Sequence, residues 1–278
     1  MSKQQSRQSF LGDHSQSILH EIPIAVIGTS GGGSPLCQQL AHIGFGKVHI
    51  IDPAIVREHH RHRMIGVSSA AITNGWPKVR VVKQLMDTVN PAGRVVAHPV
   101  AWQEVHEVLR DVKLVFVCVD GYQTRDEIER YLRSYNVPMI DIGMDVNNFD
   151  GNHQICGQVI LSAPGHQCLR CFGYITEELL KKEVGKYGDA GSRAQVSWPN
   201  SILASTAISI AMAQILPWHS NLKPAPYMQY DGNLMQIKPS TRLPFLQGIT
   251  CPHYVAKATT VATSEADVVH ETEEENNG

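Results

Sequence analysis

The feature that most constrains this chain is an apolar run, Ile22 to Ile27, that ends in the glycine-rich loop Gly28-Thr29-Ser30-Gly31-Gly32-Gly33-Ser34. An uninterrupted apolar run of this length predicts a parallel strand buried on both faces. Glycines directly after it allow a tight turn and a close approach of backbone to an anion, and the helix that follows aims its N–H groups and positive dipole end at that anion. Gly44-Phe45-Gly46 then break the helix, and Lys47 to Ile51 predict a second strand ending at Asp52. Together these make a βαβ unit of about 30 residues. Asp52, at the second strand's end, is placed to accept hydrogen bonds from ribose hydroxyls. The dinucleotide signature would need a glycine where Ser30 stands, so the loop alone leaves a scaffold without a nucleotide as an alternative.

The same alternation continues downstream. Pro77 predicts the start of a helix running to about Val89, before Asn90-Pro91. Strands are expected near Val95 to Ala97, Leu114 to Val119 and Met139 to Ile142, with helices near Gln103 to Arg110 and Gln123 to Tyr135. This pattern argues an α/β, Rossmann-like, doubly wound and mostly parallel sheet. After Gly151 the rhythm changes. A strand over Gln154 to Leu161, a short helix over Glu177 to Val184 and a hairpin turning at Gly232-Asn233 predict a C-terminal antiparallel extension. The expected organisation is an N-terminal arm over 1–20 and one domain over 21–255, with a nucleotide half over 21–150 and a second half over 151–255. An acidic disordered tail is expected over 256–278.

The chain has 278 residues, 42% hydrophobic and 18% charged, with a formal net charge of −2. That balance gives no general attraction to nucleic acid or anionic membrane. Met1 to Ser9 contain no apolar h-region, and the stretch Ile202 to Leu216 is too short to span a bilayer, so the expected location is cytoplasmic. Of the six cysteines, Cys37 and Cys118 fall in apolar surroundings and read as packing residues. Cys168 and Cys171 form a C-x-x-C, which in a cytosolic chain indicates metal or redox chemistry.

The order of landmarks resembles the ThiF/MoeB/HesA superfamily, relatives of ubiquitin-activating enzymes. Arg7-Gln8 followed by Phe10-Leu11-Gly12 resembles the family's N-terminal R-Q segment, and Gly28 to Ser34 resembles its G-x-G-G-x-G-S, with Ser30 replacing a glycine. Arg63 falls where the family has the arginine of N-x-x-R, with His60 in the asparagine position. Lys78, Asn90-Pro91, and Asp120 with Arg125 in D-G-Y-Q-T-R match further stations, and C-L-R-C at 168–171 resembles half of the family's zinc site.

The resemblance implies ATP-dependent adenylation of the C-terminal glycine carboxylate of a ubiquitin-like or sulfur-carrier protein. It assigns the nucleotide to Gly28, Ser30, Gly31, Gly33, Ser34, Asp52, Arg63, Lys78 and Asp120, with Asp120 holding Mg²⁺. Catalysis falls to Arg63, Lys78, Asp120 and Arg7, the last acting across a homodimer interface. It also implies one structural Zn²⁺ on Cys168, Cys171, Cys251 and His253. The second C-x-x-C of the family is replaced by C-P-H-Y at 251–254. The loop Gly173 to Pro199 contains no cysteine, so adenylation without a thioester on this chain is expected, with Cys156 the one other candidate. Read without the resemblance, Arg63 and Lys78 could be solvated surface charges, Asp120 a helix cap, Arg125 a structural residue, and the two cysteines a metal-free pair. An NAD-dependent oxidoreductase would use the glycine loop and Asp52 but leaves Arg63, Lys78 and C-L-R-C unexplained. A non-catalytic adaptor would account for Ser30 and His60.

Overall fold

The computed structural model describes residues 3–184, 194–216, 218 and 224–254. The tail expected over 256–278 and the middle of the loop expected before Pro199 lie outside the described residues. Five strands carry the parallel part: β1 (Pro23–Ile27), β2 (Lys47–Ile51), β3 (Arg94–His98), β4 (Leu114–Val117) and β5 (Met139–Phe149). The antiparallel strands β6 (Asn152–Ser162), β7 (Tyr227–Asp231) and β8 (Gln236–Pro239) complete one sheet in the order β3-β2-β1-β4-β5-β6-β7-β8. Strands β3 to β5 in that order pair in parallel, and β5 to β8 pair antiparallel.

Alternation along β1 explains the double layer. Ile24 and Val26 join a core with Leu36 and Leu40 of α2 (Gly33–Ile43), Val82 and Met86 of α4 (Lys78–Val89), and Leu203 and Ala207 of α7 (Ser197–Ile215). Ala25 and Ile27 face the other way, into a core with Ile128 and Leu132 of α5 (Tyr122–Ser134) and with Leu169 and Phe172. Successive side chains point to opposite faces, so a strand apolar at every position must be covered on both. α2 ends at Gly44, whose φ of 105° lets its N–H and that of Phe45 return to the Leu40 carbonyl. Short helices α1 (Ser15–Glu21), α3 (Ser69–Thr73) and α6 (Glu177–Val184) lie in the connections.

Three elements differ from expectation. Strand β5 runs to Phe149, not Ile142, because its outer half pairs residue for residue with β6 in a long hairpin. The segment Trp102–Arg110 is 3-10 helix broken at Val105, where φ is −132°. The β7–β8 turn spans Gly232 to Met235, and the left-handed residue is Met235 at φ 52°, not Gly232 or Asn233. No helix among the described residues is long and apolar enough to cross a membrane.

Candidate functional site

The chain reverses strand order between β1 and β4, and a cleft of about 330 Å³ opens there at the carboxyl ends of the strands. Open α/β sheets place ligands at such switch points. The glycine loop forms one wall, and its glycines are required by close packing. Gly28 has φ 87°, and a Cβ there would lie 2.5 Å from the Cys118 carbonyl oxygen; one on Gly33 would lie 1.9 Å from the Gly28 carbonyl oxygen. Gly31 faces the amide of Asn200 from α7, leaving 2.8 Å for an added Cβ. Ser30 lines the cleft, and its buried Oγ has no hydrogen-bond partner among the described residues. Ser34 is fully buried, and its Oγ accepts from the Ile65 N–H at 2.9 Å, tying the loop to the His- and Arg-rich segment.

Asp52 is 6% exposed and lines the cleft. Its Oδ2 accepts from the Thr29 N–H at 2.8 Å and the Thr29 hydroxyl at 3.2 Å, and its Oδ1 accepts from the Ala54 N–H at 2.9 Å. Oδ1 therefore keeps acceptor capacity toward the cleft. Lys78 opens α4, and its Nζ lies 3.8 Å from Asp52 Oδ2. That separation is an ion pair without a hydrogen bond, so the ammonium retains its donors for a second anion.

Lys78 and Arg63 both lie close enough to His60 for their charges to act on it. His60 is 4% exposed; its Nδ1 accepts from the Arg57 N–H at 2.9 Å, and its carbonyl accepts from Arg63 N–H at 3.1 Å and Met64 N–H at 2.9 Å. Burial, then the nearby charges of Lys78, His59 and Arg63, hold its imidazole well below the ordinary value of 6.5, at about 4. It is neutral in this setting, which keeps the two cations beside it from facing a third. Arg63 does not itself line the cleft; its Nε is buried without a hydrogen-bond partner among the described residues.

Asp120, just past β4, is exposed at the cleft, and its Oδ1 accepts from Gln195 Nε2 at 3.3 Å. It does not cap α5. That role belongs to Glu183 of α6, whose carboxylate accepts from the N–H groups of Tyr122 at 3.1 Å and Gln123 at 2.8 Å. Arg125 is structural: it is 4% exposed and donates to Asp141, to the Val119 carbonyl and to the Ile142 carbonyl, tying the segment after β4 to β5. Trp102, Tyr122, Tyr174, Gln195 and Asn200 also line the cleft. None carries a spacing motif; the composition of the connections alone gave no means of bringing them here.

Cys168, Cys171, Cys251 and His253 converge, with all four donor atoms within 4.8 Å of one another. The Cys168 and Cys171 sulfurs are 3.5 Å apart, and His253 Nδ1 is 3.4 Å from each of these two. A tetrahedral ion with Zn–S and Zn–N bonds of ordinary length would space sulfur and nitrogen donors about 3.5–3.8 Å apart. The donor set and spacing therefore fit a zinc ion. Behind it, Arg170 donates to both oxygens of Asp126 at 2.7 and 2.9 Å, and Glu129 Oε1 accepts from the Leu169 N–H at 3.0 Å.

The remaining cysteines, Cys37, Cys118 and Cys156, lie outside this cluster. Burial pushes the thiols of Cys37, Cys118 and Cys156 up, away from thiolate. Arg7 is exposed on the N-terminal 3-10 segment Lys3–Leu11 and is not among the residues of the cleft.

The fold and the cleft define an α/β protein with a glycine-walled cleft at the switch point of its sheet and a cysteine–histidine knuckle. The chain matches the ThiF family over residues 2–246 and belongs to it. It is 27% identical over 163 residues to a sulfur carrier protein adenylyltransferase of Thermus thermophilus, covering 58% of this chain and 59% of that one. It is 27% identical over 172 residues to the sulfur carrier protein ThiS adenylyltransferase of Escherichia coli, covering 60% and 65%. The alignments thus span about three-fifths of these curated relatives. In fold it is similar to Escherichia coli MccB crystallised with ATP, at a TM-score of 0.69 and 18% identity, over 86% of this chain and 71% of that one.

Proposed function

We propose that this chain adenylates the C-terminal carboxylate of a ubiquitin-like or sulfur-carrier protein, using ATP and Mg²⁺ and releasing pyrophosphate. The observation that carries the reading is Ser30 Oγ, buried and without a hydrogen-bond partner among the described residues, in the cleft that the glycine loop shares with Lys78. A buried donor without a partner is costly unless a ligand completes it, and a polyphosphate offers the acceptor it needs. In the reaction, an oxygen of the tail carboxylate bonds to the α-phosphorus. The bond from that phosphorus to the bridging oxygen breaks, and the electron pair leaves with pyrophosphate. No general base is required, because a carboxylate is already ionised at neutral pH. Gly28, Ser30, Gly31, Gly33 and Ser34 build the phosphate wall, Asp52 Oδ1 accepts from the ribose, and Lys78 with Arg63 offsets the charge that develops on the phosphates.

Mg²⁺ prefers carboxylate and phosphate oxygens, and Asp120 presents an exposed carboxylate at the cleft. The ion would supply charge neutralisation there. Asp120→Ala is expected to lower ATP–pyrophosphate exchange by about a hundredfold or more, with the fold retained, since charge stabilisation by one such group is typically worth that much. Wild-type exchange in this variant would remove Asp120 from the mechanism. The NAD reading gains nothing from Lys78, which stands 3.8 Å from the acid that would hold ribose. Exchange activity also separates an enzyme from an adaptor.

Arg7 belongs to this proposal as a residue acting on the nucleotide of a second copy. Its support is its exposure on the N-terminal segment, next to Phe10, which is 67% exposed and stands edge-on to Trp218 at 5.9 Å. Mixing inactive Arg7→Ala and Asp120→Ala chains should restore part of the activity, because each mixed dimer rebuilds one complete site. A fully active monomer by sedimentation would defeat it.

A further inference from the structure

The turn that carries two knuckle ligands also reaches the cleft. From Cys168 the backbone winds so that the Phe172 N–H donates to the Cys168 carbonyl at 3.0 Å, the Gly173 N–H to the Arg170 carbonyl at 2.9 Å and the Tyr174 N–H to the Leu169 carbonyl at 3.0 Å. Gly173 closes the turn at φ 63°, where an added Cβ would lie 1.9 Å from Arg242 Nη1. That nitrogen donates to the Phe172 carbonyl at 2.7 Å, so the C-terminal segment grips the turn from outside. Tyr174 therefore hangs on the residue next to Cys168, and it lines the cleft. Its ring centre is 5.6 Å from that of Tyr122 and 5.6 Å from the Arg125 guanidinium carbon. Its hydroxyl accepts from Gln158 Nε2, and a Cβ on Gly143 would come within 3.0 Å of it. Burial pushes the phenol well above its ordinary range, so it keeps its hydrogen at neutral pH.

The cleft has two sides. The glycine loop, Asp52 and Lys78 line the side toward β1 and β2, and Tyr122, Arg125, Gly143 and Tyr174 line the side toward β4 and β5. Arg125 spends its donors on Asp141 and two backbone carbonyls. The Tyr174 hydroxyl accepts one hydrogen bond and has its own hydrogen left to give. We propose that Tyr174 donates this hydrogen to the carboxylate that is adenylated, and that the ion in the knuckle governs the contact by fixing the turn on which Tyr174 hangs. The inference rests on the adenylation reading for the identity of the carboxylate; the link from knuckle to Tyr174 rests on the backbone contacts alone. An ionised carboxylate only accepts, and a donor held in place aligns it at little entropic cost. Without the ion, Cys168 and Cys171 lose their tie to Cys251 and His253, and the turn loses the support that sets Tyr174. The knuckle is then a control on the second-substrate side of the cleft as well as a staple.

The test compares the full chain loaded with Zn²⁺ and the same chain stripped by a chelator and returned to Mg²⁺ buffer, as wild type and as Tyr174→Phe. With 3-fluorotyrosine incorporated, the fluorine resonance missing from Tyr174→Phe identifies Tyr174. Stripping should shift or broaden that resonance while the far-UV circular dichroism is kept. Cys251→Ser, which removes one ligand, is a second route to the released knuckle and should reproduce the shift. Pyrophosphate exchange is measured on unlabelled protein with a panel of ubiquitin-fold carriers ending in glycine, the ThiS sulfur carrier of Escherichia coli among them. Tyr174→Phe should raise the carrier KM about tenfold, the loss expected for one hydrogen bond to a charged group, with zinc content and the KM for ATP unchanged. Stripping should raise the wild-type carrier KM by a similar factor before nucleotide affinity declines. It should add less than about twofold to Tyr174→Phe, because both changes act through one contact. A Tyr174 resonance that stays put in both the stripped chain and Cys251→Ser would overturn the link. A wild-type carrier KM in Tyr174→Phe would overturn the contact, and a full further loss on stripping that variant would show that the ion does not act through the hydroxyl. A shifted resonance with no exchange on any carrier would sink the adenylation reading and leave the link between the ion and Tyr174 standing.

Discussion

At the residue scale, His60 explains how a family landmark can change without loss of the loop it organises. The resemblance expects asparagine there, and its Oδ1 and the imidazole Nδ1 are each one bond from Cγ. The acceptor that takes the Arg57 N–H at 2.9 Å is thus at the same topological distance in both side chains. His60→Asn should keep the turn that presents Arg63, and ATP affinity should fall less than about threefold; His60→Leu, which has no acceptor, should weaken it by about tenfold. The pH dependence separates the two residues further. The folded imidazole titrates at about 4 against 6.5 in the unfolded chain, so between those values the unfolded state binds more protons. Stability is therefore complete above about pH 6.5 and is lost as pH falls toward 4, by one proton's worth of slope that His60→Asn should remove. Denaturant unfolding from pH 4 to 8 measures it; identical slopes would show that another group dominates. Of the charged residues read from their order along the chain, Lys78 and Asp120 line the cleft and Arg63 does not. Ser34 was legible only as part of the loop: its hydroxyl is already engaged by Ile65, a contact across 31 positions that no local pattern encodes.

At the scale of elements, the parallel half was readable because physics repeats there: an apolar run, a glycine or acid at its end, then an amphipathic helix. The antiparallel half was less so. The outer part of β5 reads Asp145-Val146-Asn147-Asn148, which lacks strand-forming alternation and is held by pairing with β6 instead. The turn after β7 contains Gly-Asn, yet side chains of Asp231 and Asn233 set its shape and push the left-handed residue to Met235. The glycine loop offers a test at this scale. Gly33→Ala would place Cβ 1.9 Å from a backbone carbonyl that cannot swing away, whereas Gly31→Ala meets an Asn200 side chain at 2.8 Å that can. The first should destabilise the fold by about 1–3 kcal/mol and abolish nucleotide binding; the second should chiefly weaken binding. Thermal unfolding and nucleotide titration of both variants check this, and a Gly33→Ala chain as stable as wild type would contradict the packing.

At the scale of the whole molecule, one contact joins distant parts of the chain. Cys168 and Cys171 lie beside α5, while Cys251 and His253 come from the C-terminal segment, and the four donors meet within 4.8 Å. Closing a chain segment of some eighty residues costs roughly 4 kcal/mol of entropy, and a bound ion offsets it. The protein supports the knuckle from behind through the Asp126–Arg170 pair and the Glu129–Leu169 hydrogen bond. Because α5 also carries Arg125, which ties the segment after β4 to β5 at the cleft, the knuckle and the cleft share one helix. We expect one Zn²⁺ per chain by elemental analysis. A chelator should lower the melting temperature and expose 246–254 to protease first, with nucleotide affinity declining later. Native protein without zinc would end the claim. Zinc retained in full by a Cys251→Ser, His253→Ala double variant would keep the metal but reassign its ligands, and a C-terminal segment equally protected with and without chelator would show that packing, not the ion, holds it.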